Sequence, residues 1–239
     1  TVFYITLFFQ ITDERRRDAD QETKMVRELF DGFRYALNHR GIFFLLFLLS
    51  VTALLMRPYI DLVPGISDQI FDMGAKGLSI LLSATGLGAM FSGIWLARRG
   101  RTDGLTKVFT WSLLLSAVAM LLFVASGNIW IGTILIAIVG MTIVAGAITA
   151  QTLIQNSVDQ NIRARIISIT AVLAWGLPAI GAAAMGWVAE FLGLSTTLVI
   201  GAGLTALLWL WGHSAGVRLA PMLEKGPVAE AEAATSAAK

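Results

Sequence analysis

The feature that most constrains this chain is a set of six almost unbroken apolar stretches, at residues 41–63, 77–97, 108–126, 129–150, 166–192 and 196–215. A helix rises 1.5 Å per residue, so about twenty residues cross a hydrocarbon core of about 30 Å. A transmembrane barrel would instead need strands of about ten residues with apolar and polar side chains alternating, and no such alternation is present. The chain is 56% hydrophobic and only 14% charged, with mean hydropathy +0.73, whereas soluble domains are about 25% charged. The expectation is an all-α membrane protein, a bundle of six transmembrane helices over residues 41–217.

The sequence contains no cysteine, which removes disulfides, thiolate catalysis and cysteine metal sites. Its two histidines, His39 and His213, are far apart in sequence and read as interfacial polar residues, so neither metal nor cofactor is expected. A formal charge of +2 and a pI of about 9.1 do not indicate nucleic acid as a partner, because in a membrane protein the placement of basic residues matters more than their sum. Of the 18 basic residues, all but Arg57 and Lys76 fall before the first span, between the second and third, between the fourth and fifth, or after the sixth. The positive-inside rule then makes those segments and both ends of the chain cytoplasmic, in a multi-pass protein of the inner (plasma) membrane.

The chain opens with nine mostly apolar residues followed by the charge cluster DERRRDAD, without the basic leader of a signal peptide. Residues 1–9 read as the end of a preceding transmembrane helix. Residues 10–40 read as a cytoplasmic loop in which Met25, Val26, Leu29, Phe30, Phe33, Ala36 and Leu37 form one stripe of an amphipathic helix. Residues 218–239, rich in alanine and glutamate, are expected to be a disordered cytoplasmic tail. Glycines inside the spans, among them Gly86, Gly88, Gly93, Gly140, Gly146, Gly181, Gly186, Gly201 and Gly203, are read as points of close helix packing.

Two basic loops carry the most specific local pattern. GIWLARRGRTDGL, residues 93–105, resembles the loop signature G-x-x-x-D-R-x-G-R of the major facilitator superfamily, with Gly93, Arg98, Gly100 and Arg101 matching and Ala97 standing where the family has aspartate. DQNIRARIISI, residues 159–169, resembles the RGR-x-x-S start of helix 11 in multidrug and siderophore exporters of that superfamily, through Arg163 and Arg165, with Ala164 in place of glycine. The Arg57-Pro58 pair followed by Pro64 resembles their seventh helix. In order and spacing the resemblance covers nearly the whole chain. It implies the C-terminal half, helices 7–12, of a 12-helix transporter, whose partners are an N-terminal six-helix half, membrane lipid and a small-molecule substrate. The activity it implies is proton-coupled export of amphiphilic molecules, drug-like or siderophore-like, by alternating access.

Arg57 lies about 24 Å along its span, on the outer side of the core, and Asp61 is one turn further. Two readings stay open for Arg57: snorkelling with an i,i+4 pair to Asp61 across the bend at Pro58, or lining a cavity as an outer gate or anion contact. Trp175 sits near mid-membrane beside Gly176 and Pro178, away from the interfacial belts where Trp95, Trp111, Trp130, Trp187, Trp209 and Trp211 fall. It is either packed between helices or a wall for hydrophobic or cationic substrates. Thr52, Arg57 and Trp175 are therefore the substrate-facing candidates, and Pro58, Asp61, Gly93, Arg98, Gly100, Arg101, Arg163 and Arg165 the gating or structural ones. Glu190 reads as a solvated cap at the outer interface, and Gln151, Gln155 and Asn156 as the inner end of the fourth span. A channel or non-transporting assembly subunit is one rival. An intramembrane serine protease is the other, although the GLSI stretch lacks the glycine that should follow Ser79 and His213 lies toward the opposite interface.

Overall fold

The computed structural model describes residues 33–158 and 160–237, and every regular element among them is helical. Expectations for residues 1–32 lie outside the described residues. The helices are α1 (Arg40–Leu55), α2 (Tyr59–Gln69), α3 (Gly74–Arg99), α4 (Leu105–Ala125), α5 (Ile129–Ser157), α6 (Gln160–Leu192) and α7 (Leu194–Ala237). With α1 and α2 joined into one apolar segment, Arg40–Gln69, they give six helices long and apolar enough to cross a membrane. Helices are the expected solution because an open chain in lipid must satisfy its own backbone hydrogen bonds. Residues 33–38 form a helical lead into α1, where Ala36 is buried while Phe33 and Leu37 of the same stripe are exposed.

Local chemistry sets the helix ends. His39 Nδ1 accepts the Ile42 N–H at 3.3 Å at the start of α1, and Asn128 Oδ1 accepts the Trp130 N–H at 2.9 Å at the start of α5. Between α3 and α4 the chain reverses through Gly100 and Gly104, with φ of 57° and 75°, a left-handed conformation that glycine adopts without strain.

Helix α5 is central, packed against α3 on one side and α4 on the other, while α4 also packs on α7 and α1 on α6. At the α3–α5 crossing, Gly88 lies against the backbone of Ala137 and Gly140 against that of Thr85, so closely that a Cβ at either position would collide with main chain. Lipid tails are as apolar as leucine, so this close approach contributes more to helix association than apolar burial does. The packing role expected of the span glycines does not extend to Gly86, Gly93, Gly186 or Gly203, which face open space. One buried cluster, including Leu45, Phe109, Leu153 and Leu223, fills the basic end of the bundle, and a second, including Tyr59, Leu81, Phe123 and Ile136, fills the far end. Helices α6 and α3 are the least covered, with 17% and 22% of their apolar windows buried against 50% for α1–α2 and for α4.

The bundle does not stop at residue 217. Helix α7 continues past Arg218, Leu223 is fully buried against Gly41, and the Ser157 hydroxyl donates to the Leu223 carbonyl at 3.2 Å. The Glu224 carboxylate then accepts the Gly104 N–H at 2.7 Å and the Thr106 N–H at 3.0 Å, capping α4 from the other end of the sequence. A carboxylate suits the positive end of a helix dipole. The expected disordered tail is therefore corrected for residues 218–224.

Candidate functional site

The site begins with a defect in a helix. Proline has no N–H to give, so Pro58 leaves the Leu54 carbonyl without its helical donor, and the chain unwinds at residues 56–58. The Arg57 N–H reaches back five residues to the Thr52 carbonyl at 3.3 Å, while the N–H groups of Tyr59, Ile60 and Asp61 reach back only three, at 3.4, 3.4 and 3.0 Å. Gly181 of α6 packs directly on the freed Leu54 carbonyl, where no side chain would fit.

The break separates Arg57 from Asp61. An i,i+4 pair needs a continuous helix between its members, and no ion pair joins these two among the described residues. Asp61 is exposed in the first turn of α2, where its charge complements the helix dipole. The Arg57 guanidinium instead lies over the Trp175 ring, 5.6 Å from its centroid. Trp175 is 76% exposed and is not packed between helices. The face read as open to a cationic substrate already carries the protein's own cation.

Arg57 also lines a cavity of about 80 Å³ between α1, α4, α5 and α6, together with Thr52, Ser116, Thr142, Gln151 and Thr170. Thr52 lies about 18 Å from the basic end of α1, so the cavity reaches the membrane midplane. Arg57 is the one charged residue of its lining. The hydroxyls of Thr52, Ser116, Thr142 and Thr170 each donate to a carbonyl of their own helix, at 2.7–2.9 Å. Their remaining capacity is as acceptors, which leaves Arg57 and Gln151 as the cavity's donors. Thr52 and Arg57 are thus brought together, and Trp175 joins them through Arg57. Gln151 was placed at the end of its span by the sequence, but α5 runs on to Ser157 and carries it into the cavity wall.

The gating candidates divide. Arg163 Nε donates to the Gln155 carbonyl at 3.1 Å, a second guanidinium N–H reaches the same oxygen, and the pair satisfies a terminal carbonyl of α5. Arg165 is partly buried nearby. Arg98, in the last turn of α3, is exposed, and in the α3–α4 loop Arg101 lines a cleft of about 300 Å³ with Gly93, Gly100, Thr149 and Thr152. The brace of this loop is Arg99, which the sequence pattern did not single out: its Nη2–H donates to the Asp103 carbonyl at 2.8 Å and its guanidinium sits 5.7 Å over Trp95. A signal was available in the Trp95 to Arg99 spacing, one helical turn. Glu224 was missed because its partners, Gly104 and Thr106, lie 120 and 118 residues away in the sequence. His213 meets Trp111 edge-on and Trp209 at a tilt, at centroid distances of 5.7 and 5.2 Å, whereas Ser79 lies near the opposite end of the bundle and donates to the Lys76 carbonyl. They are about 20 Å apart in depth, too far for a catalytic pair.

Six apolar spans, a proline-broken first helix and two short basic turns at one end are the features expected of a transporter of the major facilitator type. The model of the transmembrane secretion effector family matches residues 1–234, and the chain belongs to that family. No curated protein and no solved structure matched it.

Proposed function

We propose that this chain is one bundle of an exporter for amphiphilic small molecules, with its basic end cytoplasmic, working by alternating access against a second six-helix bundle. The observation that carries this reading is the cavity at the helix break. At about 80 Å³ it accommodates a small polar group, whereas pockets for whole ligands measure about 300–1,000 Å³. A complete substrate therefore needs a second wall. The sparsely covered apolar helices α3 and α6 are the faces that wall would meet, and Trp175 stands on one of them.

Arg57 and Gln151 donate, and no carboxylate lines the cavity among the described residues. These features favour a substrate with an anionic or carbonyl-rich group at Arg57 and an apolar body against the second bundle. Coupling to protons would then depend on carboxylates outside this cavity.

The test is separation of the halves. Expressed alone, the chain should insert in the membrane without substrate efflux, and co-expression with the second bundle should restore efflux. Efflux by the lone chain would refute the proposal. In the complete transporter, Arg57→Ala should reduce transport of an anionic amphiphile more than of a neutral one at unchanged expression, and equal effects on both would remove the anion contact.

A further inference from the structure

A second concavity lies on the outside of the bundle at its basic end. It occupies about 550 Å³ between α3, α4 and α5, lined among others by Trp95, Arg99, Lys107, Trp111, Leu115 and Met141. Trp95, Trp111 and Leu115 are 44%, 52% and 44% exposed, so the groove opens on the outer surface of the bundle rather than into it. Leu115 is about 15 Å from the start of α4, and the groove is therefore as deep as one leaflet of a 30 Å core.

Its charges are unevenly matched. Lys107 is exposed and makes no ion pair among the described residues. Arg99 spends one N–H on the Asp103 carbonyl and holds its guanidinium over Trp95, but its Nε is buried without a partner. Neither cation forms an ion pair with the neighbouring carboxylates among the described residues: both Glu224 oxygens accept backbone N–H groups of α4, and Arg99 meets Asp103 at its backbone carbonyl. Two cations at the mouth of an apolar, laterally open groove, flanked by two tryptophans, match a phosphate head with an acyl chain below it.

We infer that this groove binds an anionic phospholipid of the leaflet at the basic end, its phosphate between Arg99 and Lys107 and one chain along Trp111 and Leu115. Ser112 and Thr142 line both this groove and the central cavity. The lipid thus stands one layer of side chains from the candidate substrate site and supports its wall.

Native mass spectrometry of the whole protein, mixed with equal amounts of phosphatidylglycerol and phosphatidylcholine of the same chains, tests this. Each basic residue near such a headgroup contributes roughly fivefold, so a retained excess of phosphatidylglycerol of roughly tenfold or more is expected. Lys107→Gln, which breaks no contact of the loop, should lower the excess about fivefold, and Arg99→Gln with Lys107→Gln should bring it near parity. Arg99→Lys with Lys107→Arg should retain most of it. Arg218→Gln, which removes the same charge at the same end outside the groove, should leave it unchanged. Parity of the two lipids in the unaltered protein, or an excess indifferent to Lys107→Gln, would overturn the inference. So would displacement of phosphatidylglycerol by millimolar inorganic phosphate, which would make the ligand a free anion.

Discussion

Arg57 carries its charge at a depth where an unaccompanied arginine costs up to about 2.5–3.5 kcal/mol. The Trp175 ring below it and the polar cavity beside it reduce that cost. A double-mutant cycle on the complete transporter, with Arg57→Ala, Trp175→Ala and both together, should therefore show a coupling of about 0.5–2 kcal/mol in substrate affinity. Additive effects would mean that the ring does not position the guanidinium. Arg57→Lys should lose part of the coupling, since a point charge cannot stack as a planar fork does. Both residues stood out in the sequence, one as a charge within a span and the other as a tryptophan outside the belts. Their contact did not, because it depends on how α6 lies across the broken α1–α2 segment, and periodicity along a helix says nothing of its neighbours. The same gap lies behind the Arg57–Asp61 pair, one of the two readings open for Arg57, which assumed that Pro58 bends the helix without unwinding it.

Among the helices, close approach and capping decide stability. Gly140→Leu at the α3–α5 crossing should lower stability by about 1–3 kcal/mol, read as an earlier thermal unfolding midpoint in detergent, because its neighbour is main chain and cannot move aside. Gly86→Leu, directed into open space, should change it by no more than about 0.5 kcal/mol. Equal shifts would sink the crossing argument. At the basic end, Glu224→Ala should cost about 0.5–2 kcal/mol, the usual worth of an N-cap. A chain ending after Lys225 should unfold like the full one, and a chain ending after Arg218 should not. The number and extent of the spans were legible because lipid demands long apolar helices. Which glycines pack was not, since a glycine facing open space and a glycine at a crossing look alike in sequence. Two residues, Leu223 and Glu224, extended the bundle without any apolar stripe to announce them.

For the whole molecule, the census of basic residues predicts orientation. Reporter fusions after Asn128 and after Leu194 should be active only outside, and fusions after Thr102 and Lys225 only inside. A cytoplasmic signal at Asn128 would invert the arrangement. Family membership was legible in the order of the short motifs, although each alone is only what a basic turn after a span requires. The central cavity was not legible as a volume: Thr52, Ser116, Thr142, Gln151 and Thr170 come from four helices and are individually ordinary. Helices α3 and α6, with mean hydropathy 1.7 and 1.9, fall within the 1.6–2.4 range of the six spans, yet the packing leaves them the barest.

The cap on α4 also has a history in time. Glu224 is synthesised 120 residues after Gly104, whose N–H it accepts. At roughly 5–20 residues per second, translation leaves that helix start without its carboxylate for about 6–24 s. During that interval the exposed amides at the membrane surface depend on water and headgroups, and α4 becomes fixed only when the last helix arrives. The cap of α4 is thereby tied to the synthesis of α7.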